Sequence, residues 1–297
     1  MDSLKCCTLC PRECKVDRTK GVGFCGATDK VFVARASLHF WEEPPISGEK
    51  GSGTVFFSHC TLKCVFCQNR EISYGGVGRE VSIQRLGEIF LQLQQKGAEN
   101  INLVTPTHYI PQIIRAINSA KQHGLKIPIV YNTSGYEKVE TLRLLDGLID
   151  IYLPDFKYYD SRFSKRYSKC EDYFDFVGNA IEEMLSQVGE CEFDERGMMK
   201  KGVIVRHMVL PNLLDDSKRI LKYLNRRFGD KIMISIMSQY TPFGDLSEYP
   251  EISMPLSKED YDEILEYADM IGITNGFTQE GDSAKESFIP PFDLSGV

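Results

Sequence analysis

Short apolar runs alternate with segments of helical period from residue 54 onward. Six of these runs are short, apolar and rich in β-branched residues, as buried parallel strands are; they span residues 54–57, 100–104, 128–132, 149–154, 203–209 and 231–237. The clearest helical stretches between and after them span residues 83–95, 111–123, 139–145, 173–188, 217–228 and 257–268. Strands that alternate with helices in this way are typical of βα units around a parallel sheet. The pattern predicts an α/β fold of six units, either an incomplete (β/α) barrel or an open wound sheet.

The residues before this pattern differ from it in composition. Residues 1–28 are rich in cysteine and turn residues and too polar for a core of their own, and a short strand is predicted at 31–36. Paired prolines and repeated glycines make 41–53 a loop. We therefore divide the chain into a cysteine-rich N-terminal segment with its connecting loop, residues 1–50, and a main domain, residues 51–297.

The amino-acid composition argues against several classes of protein. The 297 residues are 42% hydrophobic and 26% charged, and no apolar run approaches the ~18 residues that cross a bilayer. The N-terminus lacks the basic and apolar regions of a secretory signal, so we predict a cytoplasmic protein without a membrane partner. A formal charge of -7 argues against a protein that coats nucleic acid, although it leaves room for a local basic patch.

Cysteines are concentrated at the front of the chain. There are ten, and all but Cys170 and Cys191 lie within the first 67 residues. In a reducing cytoplasm such thiols serve as metal ligands or redox groups more often than as disulfides. The two remaining cysteines are predicted to be structural thiols.

Cys60, Cys64 and Cys67 follow the first strand of the main domain directly. Loops at the carboxyl ends of parallel strands carry active sites, so position alone favours function. Three thiolates on one loop bind three irons of a [4Fe-4S] cluster and leave the fourth iron open to a substrate. The alternatives are three buried thiols or a zinc site, but structural zinc takes its ligands from two separate knuckles.

The C-x3-C-x2-C spacing, with Phe66 before the last cysteine, resembles the signature of the radical S-adenosylmethionine (SAM) superfamily. The stretch FFSHCTLKCVFCQN is similar to the pyruvate formate-lyase activating enzyme branch, particularly homologues with an N-terminal cysteine segment. The resemblance implies a partial (β/α)6 barrel, a [4Fe-4S] cluster and SAM as cofactors, and an electron donor such as flavodoxin or ferredoxin. It also implies reductive cleavage of SAM to a 5'-deoxyadenosyl radical that removes hydrogen from a substrate, so no catalytic side chain is assigned.

The second and third strands end in polar turns that the resemblance places near SAM. Where the family has a Gly-Gly-Glu turn for the methionine amino group, this chain has Thr105 and Thr107, which either replace the carboxylate or simply form the turn. Asn132 and Ser134 are similar to the polar turn that meets the ribose, and the same residue types also form ordinary turns.

Charged residues follow on the fourth and fifth strands. The sequence LPDFK resembles the Asp-x-Lys pair around the methionyl carboxylate, and alternation puts Asp155 and Lys157 on one face. Arg206 lies within an apolar strand, where an unpaired charge is costly. Its partner is expected to be either Asp155, which would make the pair structural, or the cofactor carboxylate.

The N-terminal cysteines form a second possible ligand set. Cys7, Cys10, Cys14 and Cys25 have the spacing C-x2-C-x3-C-x10-C, with Cys6 as an alternative first ligand. Four thiolates suffice for structural zinc or for a second iron–sulfur cluster, and the spacing leaves both open. We predict a second metal site here.

Three functions remain at this stage. The resemblance to activating enzymes implies abstraction of a glycine hydrogen from a partner protein, a glycyl-radical enzyme. The alternative keeps the radical chemistry but directs it to another peptide, RNA or small molecule. A non-catalytic metal-binding or redox-sensing protein would explain the cysteines but not the βα repeats or the pair Asp155 and Lys157.

Overall fold

The computed structural model describes residues 4–278 and 289–297. The strands are β1 (Val31–His39), β2 (Ser52–Phe57), β3 (Arg79–Val81), β4 (Ile101–Val104), β5 (Ile129–Thr133), β6 (Ile151–Pro154), β7 (Glu192–Phe193), β8 (Met199–Met208), β9 (Met233–Met237) and β10 (Gly276–Thr278). The helices are α1 (Pro44–Ser47), α2 (Arg70–Ser73), α3 (Ile83–Gln95), α4 (Ile110–Gln122), α5 (Val139–Leu142), α6 (Ser161–Ser168), α7 (Tyr173–Val188), α8 (Leu214–Phe228) and α9 (Lys258–Met270). Short 3-10 turns lie at Thr107–Tyr109, Arg143–Leu145, Gly229–Lys231 and Pro250–Ile252.

The sheet is mostly parallel. Strands β2, β4, β5, β6, β8, β9 and β10 pair in parallel in that order, whereas β1 and β3 extend the β2 edge antiparallel and β7 pairs antiparallel with β8. Neighbouring strands run in register, for example Leu103 opposite Tyr131 and Tyr131 opposite Tyr152. Their carboxyl ends therefore meet at one edge. The architecture confirms the predicted α/β partial barrel.

Strong periodicity located the main elements well. All six predicted strands of the main domain are present, and the predicted bounds of α3 and α7 are those observed. The predicted helix 139–145 is divided into α5 and a 3-10 turn. The pattern did not predict β3, β7 or α2, because elements of two to four residues are too short for a strand or helical period to repeat within them.

The core lies on both faces of the central strands. Every residue of β4, β5 and β6 is buried, as expected when helices cover a parallel sheet on both sides. Helix α3 begins after Ser82, whose side chain accepts a hydrogen bond from the backbone N–H of Arg85 and so caps the helix. Within the described residues, no helix is long and apolar enough to cross a membrane.

The N-terminal segment is joined to this sheet. The predicted strand 31–36 continues to His39 because its last residues pair with the start of β2, ending at His39 opposite Ser52. The predicted loop 41–53 contains the short helix α1 and the first residues of β2. This stretch brings Glu42 to the carboxyl ends of the parallel strands, next to Arg206.

Candidate active site

A cavity of about 240 Å³ lies at the carboxyl ends of the parallel strands. Apart from Thr107, its lining includes every residue of the main domain that the sequence singled out as a cluster or cofactor ligand: Cys60, Cys64, Phe66, Cys67, Thr105, Asn132, Ser134, Asp155, Lys157 and Arg206. These residues come from five different stretches of the chain, so the fold brings them together. Which of them bind a cofactor stays a prediction.

The cysteine loop leaves β2 through a tight backbone turn. His59 has φ of 74° and Lys63 has φ of 54°, both in the left-handed region that side chains with a Cβ rarely adopt. The turn directs Cys60, Cys64 and Cys67 toward the same cavity.

Each sulfur of this loop accepts one hydrogen bond. The backbone N–H of Leu62 lies 3.4 Å from Cys60 Sγ, the Ser168 hydroxyl 3.1 Å from Cys64 Sγ, and the Ser73 hydroxyl 3.4 Å from Cys67 Sγ. Burial nevertheless raises the pKa of the Cys60 thiol to about 12. The protein alone does not hold this sulfur as a thiolate, whereas bound metal deprotonates a coordinating thiol.

Phe66 anchors the loop from behind. Its ring is 4% exposed and makes edge contacts with Tyr158, Tyr167 and Tyr240 at centroid separations of 6.4, 6.3 and 5.9 Å. Edge-to-face pairs of this kind stabilise a fixed ring position. The aromatic residue between Cys64 and Cys67 therefore holds the loop against the barrel while its cavity-facing side lines the site.

Arg206 joins three strands and the Glu42 loop. Its guanidinium donates to Asp155 Oδ1 at 2.9 Å, to Glu42 Oε2 at 3.1 Å and to Asn132 Oδ1 at 2.6 Å. Burial works against the charge of Arg206, but the carboxylates around it outweigh that effect and raise its pKa. The expected partner Asp155 is present, and Glu42 is a second one that the sequence did not reveal.

Lys157 is paired within the cavity. Its Nζ lies 2.7 Å from Asp155 Oδ2, and the two side chains are 19% and 16% exposed. Burial acts to lower the pKa of Lys157, but attraction to the Asp155 carboxylate prevails and raises it. Burial likewise acts to raise the pKa of Asp155, and Arg206 and Lys157 together lower it. Lys157 is thus a cation at the cavity wall at neutral pH.

The two threonines of the second-strand turn have different surroundings. Thr105 lines the cavity with φ of 59°, and its backbone N–H donates to the Asn132 carbonyl at 2.9 Å. Thr107 is buried and donates its hydroxyl to Glu137 Oε1 at 2.5 Å. Of the two, Thr105 is the one placed to meet a ligand, and Thr107 stabilises a buried carboxyl.

The third-strand turn supplies both Asn132 and Ser134 to the cavity. Asn132 also accepts from Arg206, so it is oriented by the charged network. The Ser134 carbonyl accepts a hydrogen bond from the Tyr173 hydroxyl at 2.9 Å, and the same hydroxyl lies 2.9 Å from the Asp155 carbonyl. Tyr173 therefore fixes the two turns relative to each other.

Glu42 is the functional-site residue that sequence reasoning missed. It lies before two prolines in a segment that the pattern identified only as a loop. The signal available was the buried Arg206, whose charge required more anionic partners than Asp155 alone. In the structure Glu42 is 9% exposed and also accepts from Asn102 at 3.1 Å. Glu42 is one of the residues that line the cavity.

The N-terminal cysteines lie in a separate place. Cys7, Cys10, Cys14 and Cys25 line a second, smaller cavity, whereas Cys6 is exposed and does not. Among residues 4–278 and 289–297, no three side chains of His, Cys, Asp or Glu are grouped as one metal ion requires. Neither the cysteine loop after β2 nor the N-terminal cysteines form such a group in the described residues.

Comparison with known proteins identifies the family. The family model described as "Radical SAM superfamily" matches residues 54–224, more than half of the chain. The chain belongs to the radical SAM superfamily. It is therefore a radical SAM enzyme, and the family implies a [4Fe-4S] cluster and SAM. The residues lining the cavity fit that pair: three cysteines on one loop for the cluster, and polar and cationic groups opposite them.

The similar proteins do not identify the substrate. An uncharacterized protein of Methanocaldococcus jannaschii is 30% identical over 275 residues, which are 89% of this chain and 75% of that protein. Streptococcus suis SuiB bound to precursor peptide SuiA has a TM-score of 0.51 at 15% identity, covering 75% of this chain and 46% of SuiB. The chain thus spans about half of SuiB, and this likeness shows the fold alone. A domain of pyruvate-formate lyase-activating enzyme from Bacteroides vulgatus is more remote, with a TM-score of 0.42 at 12% identity, covering 58% of this chain and 92% of that domain.

Proposed function

We propose that this enzyme abstracts a hydrogen atom from a glycine of a partner protein, as glycyl-radical activating enzymes do. The observation that carries the proposal is the meeting of the cysteine loop with Lys157, Asp155 and Arg206 in one cavity. The FFSHCTLKCVFCQN stretch supports the activating-enzyme branch. SuiB is described as binding a precursor peptide, and this supports a polypeptide substrate.

Cys60, Cys64 and Cys67 would hold the cluster, which supplies the electron that cleaves SAM to a 5'-deoxyadenosyl radical when both are bound. Lys157 would pair with the methionyl carboxylate, since a buried cation at the cavity wall attracts an anion. Arg206 would orient Asp155 and Asn132, because it already donates to both. Thr105, Asn132 and Ser134 would contact the polar parts of the nucleoside.

The mouth of the cavity supports a large substrate. Trp41 lines the cavity and is 58% exposed, and Ile289 and Pro290 line it from the C-terminal stretch. An exposed aromatic side chain beside apolar residues is typical of a surface that contacts a polypeptide.

We propose that the two parts of the chain contribute different pieces of the enzyme. Residues 1–50 would supply the N-terminal metal site and the Glu42 loop to the domain of residues 51–297. Flavodoxin or ferredoxin would be the electron donor.

The proposal is tested by following the abstracted atom. Reconstituted enzyme, SAM and reductant are incubated with a cell extract whose proteins carry deuterated glycine, and 5'-deoxyadenosine is examined by mass spectrometry. Deuterium in 5'-deoxyadenosine that depends on the protein fraction supports glycine abstraction. Deuterium-free 5'-deoxyadenosine formed with that fraction, or stimulation only by RNA or by dialysable molecules, contradicts it.

A further inference from the structure

The four N-terminal cysteines enclose a small cavity beside the cysteine loop of the active site. Cys10 and Cys25 are buried, Cys7 and Cys14 are half-buried, and Arg18 and His108 complete the lining. The four come from three turns of an irregular segment that precedes the sheet. Such a segment orders itself only if something at its centre holds it together.

Backbone N–H groups donate hydrogen bonds to two of these four sulfurs. The N–H of Phe24 donates to Cys14 Sγ at 3.3 Å, and the N–H of Ala27 donates to Cys25 Sγ at 3.4 Å. The hydrogen bond to Cys25 resembles the one in the active site, where the backbone N–H of Leu62 donates to Cys60 Sγ at 3.4 Å. In both, the donor is two residues after the cysteine. Hydrogen bonds to sulfur stabilise the charged form, so these two N–H groups would stabilise thiolate ligands once a metal has displaced the thiol protons.

Arg18 adds a charge that calls for an anionic neighbour. It is 1% exposed, and its guanidinium donates to the carbonyls of Ala27 at 3.2 Å, Thr28 at 2.5 Å and His108 at 2.6 Å. Cys7 Sγ lies 4.0 Å from its Nη1. Among the residues described, no carboxylate lies within ion-pair distance of Arg18. A buried cation without a counter-charge is costly, and four thiolates on a metal centre carry the negative charge that would compensate it.

His108 leaves a polar atom without a partner at the same place. Its Nε2 lies 2.8 Å from the Ser58 carbonyl, so Nε2 is the protonated nitrogen. Its Nδ1 is buried and has no hydrogen-bond partner, and the side chain is 2% exposed. Buried polar groups are normally satisfied, and His108 is one of the residues that line the cavity of the four cysteines.

This cavity is in direct contact with the cluster loop of the active site. Arg12, between Cys10 and Cys14, donates to the Thr61 carbonyl at 3.1 Å and to the Ser168 carbonyl at 2.8 Å. Ser168 in turn donates to Cys64 Sγ. On the other side Gly26 lies against the ring of His59, the residue before Cys60, where a Cβ would come within 3.2 Å. Two series of contacts, through Arg12 and through Gly26, therefore connect the N-terminal cysteine segment with the cysteine loop of the active site.

From these contacts we infer that Cys7, Cys10, Cys14 and Cys25 hold an iron–sulfur cluster that passes single electrons to the cluster of the active site. A low-potential carrier of the flavodoxin or ferredoxin class gives one electron to the oxidised N-terminal cluster. The reduced N-terminal cluster then returns to its oxidised state as the active-site cluster gains that electron.

The spacing alone leaves zinc and a cluster open, and the contacts with the cysteine loop of the active site favour a cluster because zinc has no redox chemistry. Zinc knuckles contribute ligands as pairs two to four residues apart, and Cys7 with Cys10 meets that rule. Cys25, however, follows Cys14 after ten intervening residues, so the second pair does not. In a cluster each cysteine binds a different iron, and ligands may therefore lie farther apart than around one ion.

The metal content and the EPR signal of three variants test whether the N-terminal cysteines hold an iron–sulfur cluster. With Cys60, Cys64 and Cys67 all changed to Ala, anaerobically reconstituted protein should retain iron and sulfide in equal amounts, and reduced flavodoxin should give it an EPR signal. Adding Cys14→Ser should alter or abolish that signal, and adding Cys6→Ser, the exposed neighbour, should not. Zinc alone, absence of metal, or a signal unaffected by Cys14→Ser overturns the inference. These readouts do not depend on the substrate proposed above.

Electron transfer is tested with two reductants. The Cys10→Ser and Cys25→Ser double variant should form 5'-deoxyadenosine with dithionite as the parent does but lose this activity with reduced flavodoxin. Its residual iron should match that of the active-site cluster alone. Parent-like activity with flavodoxin, or equal loss with both reductants, overturns the transfer step.

Discussion

Replacing Lys157 by Met tests the cofactor site most selectively. The change removes a cation from the cavity wall but keeps most of the side-chain volume. Asp155 stays paired, because Arg206 Nε still donates to it at 2.9 Å. Protein stability should therefore change little. SAM should lose one charge-assisted hydrogen bond to its carboxylate, worth about 1.5–3 kcal/mol.

That loss corresponds to a rise in the Kd of SAM of roughly 10- to 150-fold. Isothermal titration of anaerobically reconstituted protein measures it, with iron content determined on the same sample. Lys222→Met, an exposed lysine on α8, is the matched control and should leave the isotherm as in the parent. A Lys157→Met isotherm that equals the parent's at equal iron content refutes the assignment of Lys157 to the carboxylate.

Three further predictions concern stability and chemistry. Arg206→Leu leaves Glu42 as an uncompensated buried carboxylate and leaves Asp155 with Lys157 as its one cationic partner, so the free energy of unfolding, from anaerobic urea denaturation, should fall by about 3–5 kcal/mol; an unchanged midpoint contradicts this. Burial raises the pKa of Glu137 to about 7 from an ordinary value of 4.5. The protonated carboxyl therefore stabilises the folded state fully below pH 4.5, and this stabilisation is lost as pH rises through 7. Between pH 5 and 8 the parent should therefore lose up to about 3 kcal/mol relative to Glu137→Gln, and parallel pH profiles would exclude this role. Cys64→Ala should abolish formation of 5'-deoxyadenosine, whereas Cys191→Ala, outside both cavities, should not.

Parallel strands made the fold predictable from the sequence. Runs such as 203–209 are mostly apolar because both faces of the sheet are covered, and α3 and α7 have an uninterrupted helical period. The predicted site residues follow from the same regularity, since polar residues just after parallel strands meet at one edge. Asp155, Lys157 and Asn132 were found in this way.

Residues outside the regular pattern were harder to predict. Glu42 reaches the cavity from a loop whose path depends on pairing between β1 and β2, and nothing local in WEEPP specifies that path. Glu137 follows the third-strand turn, and its buried carboxyl accepts hydrogen bonds from Thr107, in the 3-10 turn after β4, and from Thr133, at the end of β5. The meeting of the two cysteine sets rests on Arg12, whose partners lie 49 or more residues away. Such long-range contacts have no periodic signal.

The central claim is that Cys60, Cys64 and Cys67 hold a cluster with an iron open to SAM. EPR spectroscopy of the reduced, reconstituted protein, recorded before and after addition of SAM, tests it most directly. To isolate the active-site cluster, the Cys10→Ser and Cys25→Ser double variant is used with dithionite. The account predicts a cluster signal whose shape changes with SAM and which is absent when Cys64→Ala is added. A signal that SAM leaves unchanged, or one that persists with Cys64→Ala, would contradict the claim.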